Sequence, residues 1–401
     1  MPLTLIPLGV RCNLQCGYCY EDPQRDAGNL GGRYNLDTMK QALSAHGRKD
    51  EPFLLFGGEP LLLPKRVLED LWAWGFKRSG RNTVQTNGVL IDDEHIALFK
   101  RYKVDVGISM DGPGELNDAR WDRTLERTRR STERAERAIE KLIENGLVPS
   151  LIVTLHRLNA TGPKLESLVG WFRQLERLGV RSIGVHVLEV ENQEMRDKYA
   201  LSADETVRAL RRLRLASKQL SAITLSLIED LELLLLGKDG KVKCIWTACD
   251  PYTTKAVKGL DGQGERKKCS RVNKDGVDYL PAEREGFERY MALYRTPQET
   301  GGCKGCRFFL MCRGQCPGTA IAGDWRSKSE QCSTWLAVFA EIEAELVAKG
   351  TQPLSLRPER IEIEAEMMRR WELGQNWPVE QVMRELRTRR SGTPQAQVAG
   401  A

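Results

Sequence analysis

Residues 11–24 read RCNLQCGYCYEDPQ and set Cys12, Cys16 and Cys19 in a C-x3-C-x2-C triplet just after the first apolar run. Tyr18 and Tyr20 flank the last of the three. Three thiolates are one short of closing a tetrahedral zinc site or a four-iron cluster. Such a site keeps one position for something else to bind.

The rest of the chain bounds what that something could serve. It has 401 residues, 41% of them hydrophobic, enough for more than one folding unit. Net charge is +6, from 61 basic and 55 acidic residues, too small an excess over this length to argue nucleic-acid binding. There is no apolar run of membrane-spanning length and no export leader, so the expected compartment is the cytoplasm, with no membrane partner. Eleven cysteines, an odd number, in such a chain speak for metal and against a disulfide framework.

Around the triplet, short β-like runs alternate with amphipathic helical stretches. The runs are LTLIPLG (3–9), PFLLFG (52–57), TVQTNG (83–88), VDVGISMDG (104–112), PSLIVTLH (149–156) and SIGVHVLEV (182–190). Six strand–helix repeats predict an α/β fold, a partial (β/α)6 TIM-like barrel over residues 1–221 with a linker helix at 222–240. In such folds chemistry collects on loops at the C-terminal ends of strands, which is where the triplet lies. Residues 241–335 are rich in Cys, Gly, Lys and Arg with little periodicity, as expected where bound metal replaces a hydrophobic core. Helices are expected over 336–388, and a disordered tail over 389–401.

The triplet with Tyr18 resembles the C-x3-C-x-aromatic-C signature of the radical S-adenosylmethionine (SAM) superfamily. The resemblance implies a [4Fe–4S] cluster on Cys12, Cys16 and Cys19, whose open iron takes SAM and whose electron releases a 5′-deoxyadenosyl radical. A lone triplet is also compatible with a zinc fragment. Three further segments follow strand ends in the order the family has them. Phe56-Gly57-Gly58-Glu59-Pro60 resembles the motif that binds the SAM amino group. Gln85-Thr86-Asn87-Gly88 and Ser109-Met110-Asp111-Gly112-Pro113 resemble segments facing the cofactor. By this resemblance Tyr18, Gly57, Gly58, Glu59, Thr86, Asn87, Ser109 and Asp111 would contact SAM, Ser109 at the ribose and Tyr18 at the adenine.

The other eight cysteines resemble the SPASM extension, which carries two auxiliary [4Fe–4S] clusters on many radical SAM enzymes. The spacing is Cys249-x14-Gly264-x4-Cys269, then Cys303-x2-Cys306-x5-Cys312-x3-Cys316, and Cys332 after fifteen more residues. By that resemblance Cys244, Cys249, Cys269 and Cys316 hold an inner cluster, and Cys303, Cys306, Cys312 and Cys332 an outer one. Three plus four plus four accounts for all eleven cysteines. Two zinc knuckles are the alternative for these pairs.

Other polar residues are weaker pointers. Arg120, Arg123, Arg127, Arg129, Arg130, Arg134 and Arg137 read as a solvated helix laced with glutamates, or as a docking face for an acidic peptide. One arginine near the start of that segment is placed to reach the SAM carboxylate. His186, Glu189 and Glu191 end the sixth strand, where alternation turns two of the three away from the pocket. Asp250 and Tyr252 flank Cys249. No catalytic base is assigned.

SPASM proteins mostly modify ribosomally made peptides or sulfatases, and a smaller group modifies sugars. Sulfatase maturases carry an aspartate directly after the cysteine matching Cys269, and here that residue is Ser270. The run Cys19-Tyr20-Glu21-Asp22-Pro23-Gln24-Arg25-Asp26-Ala27-Gly28-Asn29 resembles peptide spliceases, which excise a tyramine unit and leave an α-keto-β-amino product. The resemblance therefore implies a radical maturase of a precursor peptide, with a separate leader-recognition protein and a flavodoxin- or ferredoxin-type electron donor. The alternatives are a radical dehydrogenase or epimerase on a small molecule such as a sugar, and an anaerobic sulfatase maturase. No room for a leader-binding domain is expected ahead of Leu3.

Overall fold

A computed structural model describes residues 3–28, 31–242, 244–246, 249, 258–273 and 286–391. In chain order its elements are β1 (Thr4–Ile6), α1 (Asp22–Asp26), α2 (Leu36–His46), β2 (Leu54–Leu55), α3 (Lys65–Ser79), β3 (Asn82–Thr86), α4 (Asp93–Arg101), β4 (Val104–Ser109), α5 (Leu125–Glu144), β5 (Ser150–Leu155), α6 (Gly162–Arg177), β6 (Ser182–Val187), α7 (Gln193–Tyr199), α8 (Ala203–Ser217), β7 (Thr224–Leu225) and α9 (Ser226–Leu235). Then come β8 (Gly259–Asp261), β9 (Arg266–Lys267), α10 (Glu288–Arg295), α11 (Phe309–Cys312), α12 (Cys332–Ala348), α13 (Arg360–Glu372) and α14 (Val379–Arg390). They form two compact units, residues 1–228 with 257–280, and residues 229–256 with 281–401.

The first unit has the expected α/β fold. Its sheet runs in the order β7-β6-β5-β4-β3-β2-β1-β8-β9, and the neighbours from β7 through β8 are parallel. Val84, Val106, Ile108, Leu151, Val153, Leu155, Ile183 and Val185 are buried at alternate positions. The intervening positions carry Thr83, Gln85, Ser109, Thr154 and His186, so the opposite face of the sheet is polar and only partly covered. Period-2 alternation puts the polar set together on one side. Helices close the apolar side: Asn82 on β3 donates to the Trp72 carbonyl of α3 (3.0 Å), and Ile108 and Ala135 of α5 both pack against Gly88.

Two features differ from the sequence expectation. A seventh parallel strand, β7, extends the sheet beyond the six foreseen. On the other side β8 pairs in parallel with β1 (Thr4 opposite Gly259, Ile6 opposite Asp261) and turns into β9. Residues 258–273, expected within a 241–335 cluster domain, thus belong with the sheet unit.

The second unit is built on aromatic contacts. Trp246 meets Trp335 and Phe339 edge to face at 5.5 and 6.0 Å, and Phe308 stacks on Phe339 at 5.6 Å. Trp371 of α13 packs on Phe287, Tyr290 and Phe309 at 6.2, 5.4 and 6.2 Å. The helices after residue 335 are thereby part of this unit's core. Among the described residues no helix is long and apolar enough to cross a membrane.

Candidate active site

The cysteine loop after β1 is held by main-chain bonds. Gln15 and Gly17 donate to the Trp121 and Ala119 carbonyls (2.8 Å each), and the Cys19 N–H returns to the Cys16 carbonyl (3.1 Å). Tyr199 lies so close to Gly17 that a side chain there would overlap its ring. From the next strand end, Gly58 and Glu59 donate to the Gly9 and Arg11 carbonyls (2.9 and 2.8 Å). Gly57 takes φ +111°, and a Cβ on Gly58 would overlap the Arg11 backbone. The glycine pair is needed so that this loop can lie against the cysteine loop.

Burial pushes the Cys12 and Cys19 thiols up to about 11 and Cys16 higher still, the last also through the charges of its two partners. Three half-buried thiols in one loop, as soft thiolate donors, suit an iron–sulfur cluster that takes each of them on a different iron. Donors already face them. Arg25 Nη2 lies 3.3 Å from Cys19 Sγ, the Leu14 N–H 3.4 Å from Cys12 Sγ, and Asn87 Nδ2 3.8 Å from Cys12 Sγ. The residues fit a cluster with one iron left open.

Glu59 is 1% exposed and ties strand ends together. Oε1 accepts from Thr86 Oγ1 (2.7 Å) and the Leu61 N–H (3.0 Å), and Oε2 from the Asn87 N–H (2.8 Å). Asn87 in turn donates to Asn13 Oδ1 at 2.7 Å, inside the triplet. Ser109 Oγ, on the polar face, accepts from Gln85 Nε2 at 2.9 Å.

Asp111 is wholly buried and accepts from four donors. They are the Tyr18 hydroxyl, Arg120 Nη2 (3.0 Å), the Thr154 N–H (2.9 Å) and His156 Nε2 (3.3 Å). Burial would raise its pKa, but the Arg120 guanidinium and the bonds from His156 and Tyr18 outweigh that and hold it below the ordinary carboxylate range. His156 Nδ1 accepts from the Leu158 N–H (3.2 Å), which leaves the proton on Nε2 facing Asp111. Of the seven arginines, Arg120 alone enters this network. Arg127, Arg129, Arg130 and Arg137 pair with Asp122, Asp118, Glu126 and Glu133, as a solvated helix would.

Arg271 meets His186 Nδ1 (3.0 Å) and Glu189 Oε1 (2.6 Å) and lies over the Tyr20 ring at 5.4 Å. Alternation stops at Val187, where β6 ends, so Glu189 and His186 reach the same guanidinium. Burial and the Arg271 charge push His186 down to about 3. Burial pushes Glu21 up to about 7, against Arg25 and a hydrogen bond from Ser270. Sequence reasoning missed His156, Glu21 and Arg271. His156 had a signal, as the last residue of a strand candidate.

In the second unit Cys303, Cys306, Cys312 and Cys332 line one cavity with Phe308, Lys328 and Phe339. Burial and the neighbouring thiols push Cys303 up to about 12 and Cys312 well above its ordinary value. A four-thiol cradle of this kind fits an iron–sulfur cluster. Among the described residues no group of three or more His, Cys, Asp or Glu is placed to hold a single metal ion. Cys269 belongs to the first unit, and Cys244, Cys249 and Cys316 to the second. Asp250 and Tyr252 lie outside the described residues.

Comparison with known proteins agrees with this geometry. Residues 6–161 match the Radical SAM superfamily model. The serine-type anaerobic sulfatase-maturating enzyme of Klebsiella aerogenes is 29% identical over 210 residues, half of each chain. The cysteine-type enzyme of Clostridium perfringens is 32% identical over 130 residues, 29% of this chain and 35% of that one. The chain thus spans about half the length, or less, of these curated relatives. Among solved structures, anSMEcpe with bound AdoMet and the Cp18Cys peptide superposes with a TM-score of 0.65 at 19% identity, covering 87% of this chain and 99% of that one. Streptococcus suis SuiB gives a TM-score of 0.56 at 14% identity, covering 83% and 77%. At such identities the likeness is one of fold.

Proposed function

We propose, for an enzyme that carries a radical SAM domain over residues 6–161, that the substrate is a ribosomally made precursor peptide. The peptide reading is supported by the sulfatase-maturating relatives and by the fold shared with anSMEcpe holding the Cp18Cys peptide, and the radical chemistry by the tying of the cysteine loop to three successive strand ends. Gly58 and Glu59 hold it after β2, Asn87 after β3, and Asp111 through Tyr18 after β4.

Cys12, Cys16 and Cys19 would hold a [4Fe–4S] cluster, which with SAM would supply radical chemistry for hydrogen abstraction from substrate. The chain's own residues place the reactants. Gly57 and Gly58 offer backbone to SAM, and Ser109 faces it from the polar side of the sheet. Glu59, Thr86 and Asp111 spend their polar atoms on the scaffold and act by fixing Asn87, Tyr18 and Arg120. Arg120, buried and cationic, offers its guanidinium to a carboxylate. Cys303, Cys306, Cys312 and Cys332 would hold the outer auxiliary cluster, and Cys244, Cys249, Cys269 and Cys316 the inner one. That makes three clusters, fed by a flavodoxin- or ferredoxin-type donor in the cytoplasm, with a separate protein delivering the leader.

The splicease-like run after Cys19 supports excision of a tyramine unit as the outcome. The sulfatase-maturing relatives give a second reading, weakened by Ser270 standing where those enzymes carry aspartate. Anaerobic co-expression with precursor peptides encoded nearby, read by intact mass, tests the proposal. Loss of a tyrosine-derived fragment supports splicing, and loss of two hydrogens supports a cross-link. An unchanged peptide beside free 5′-deoxyadenosine sends the activity to a small molecule. Cys16→Ala abolishes 5′-deoxyadenosine formation, whereas Cys312→Ala leaves uncoupled cleavage and stops product.

A further inference from the structure

The turn at Cys269–Asn273, closed by Val272 and Asn273 N–H bonds to the Cys269 carbonyl (3.0 and 3.1 Å), is pinned to two other parts of the sheet unit. Asn273 accepts from Gln24 through its carbonyl, and the Ser270 hydroxyl donates to Glu21, both in the segment after the cysteine triplet. The next residue, Arg271, holds Glu189 and His186 at the end of β6 and covers Tyr20. Consecutive residues of one turn thus each fix one carboxylate.

Each carboxylate keeps one oxygen buried and unpartnered among the described residues, Oε1 of Glu21 and Oε2 of Glu189. Glu21 is 4% exposed, and the Glu189 side chain 12%. Buried acceptors are nearly always satisfied. Two such acceptors are set by neighbouring residues of one turn. Arg271 itself is engaged with Glu189 and His186. What the pair lacks is hydrogen-bond donors, and it lies where the polar strand face, with Thr154 and His186, reaches the loop after the triplet.

We propose that Glu21 and Glu189, set by Ser270 and Arg271, form a subsite that accepts main-chain N–H donors of the substrate peptide. The proposal rests on the peptide reading above and adds to it the residues that grip the chain. A carboxylate with one oxygen already held and the other open suits an amide, which brings an N–H group and no second negative charge.

The probe is the precursor peptide that changes mass in the co-expression experiment, together with copies of it N-methylated at single amides. Glu21→Gln and Glu189→Gln keep size and remove charge. Each is expected to raise KM about tenfold with kcat held within about twofold, the loss of one charge-assisted bond. An N-methyl group on the gripped amide weakens the unaltered enzyme by a similar factor and adds nothing in the variant that has lost its acceptor. Iron content and circular dichroism report folding, and if Glu21→Gln loses its iron, Glu189→Gln and the methyl scan decide. Unchanged KM in the variants, or methyl penalties equal in variant and parent, overturns the subsite and leaves the peptide reading standing. A parent enzyme that modifies no peptide removes that reading and the subsite with it.

Discussion

Asp111 and Arg120 form an ion pair at 3.0 Å in which the carboxylate is fully buried and the guanidinium side chain only 10% exposed. The pair joins the end of β4 to the segment before α5, and Tyr18 brings the cysteine loop onto the same carboxylate. Asp111→Asn leaves Arg120 charged and buried without its partner, at a cost of about 3–5 kcal/mol. Urea unfolding of the variant is the measurement. The sign with pH follows from the depressed carboxyl: its contribution is complete above the ordinary range near pH 4 and is lost only as pH falls below it. A parent-like midpoint in the variant would mean that the hub is ornamental to stability.

Glycine substitutions separate packing from propensity. Gly58→Ala drives a methyl into the Arg11 backbone, so the cysteine loop must move. The expected result is loss of about four irons per chain after anaerobic reconstitution. Gly170 lies exposed in α6 with nothing near a Cβ. Gly170→Ala therefore stabilises by about 0.5–1 kcal/mol with the iron complement intact. Iron assay and melting of both variants read the contrast.

Strands β1–β6 were legible because each carries enough alternating or apolar residues to announce a half-covered sheet. Strands β8 and β9 were not. Gly259-Leu260-Asp261 and Arg266-Lys267 have no period to read, and they become strands because β1 offers an open edge. The same split runs through the site. Cys303, Cys306, Cys312 and Cys332 stood out by spacing, and the fold sets them around one cavity. His156, Glu21 and Arg271 did not, since what makes them notable is a partner 45, 249 or 82 positions away in sequence, at Asp111, Ser270 and Glu189. Glu59 and Thr86 were legible as motif residues, but that they spend themselves on each other is a tertiary fact.

Glu366 on α13 gives a test of acid stability. Hydrogen bonds from Arg369, the largest cause, and Arg370 hold its carboxyl down to about 2, against the opposing effect of burial. A depressed carboxyl stabilises the fold above its unfolded value near 4.3, and that contribution fades as pH falls towards about 2. Glu366→Gln is thus less stable than the parent at pH 7, and the two converge as pH drops through that window. Melting of the metal-free proteins across pH 7 to 3 measures it, and a gap independent of pH would contradict the assignment.

Arg313, in the left-handed conformation directly after Cys312, reaches from the cysteine loop into the core of its unit. Its guanidinium pairs with Asp239 at 2.6 Å, with side-chain exposures of 3% and 4%, and donates to the Trp246 carbonyl at 3.1 Å. The other oxygen of Asp239 accepts the Glu380 N–H in the first turn of α14 (3.2 Å). One carboxylate therefore fixes both the loop carrying Cys312 and the last helix. Asp239→Asn is expected to cost about 3–5 kcal/mol, since it strands a buried arginine. It should also speed iron loss to a chelator, because the Cys312 loop is no longer anchored. Asp324→Asn is the comparison. Its pair with Arg326 is 39% and 67% exposed, and its removal leaves stability close to that of the parent. If both variants release iron at the parent rate, the cysteine loop is held by its aromatic packing alone, and the last two helices serve the core without serving the cluster site.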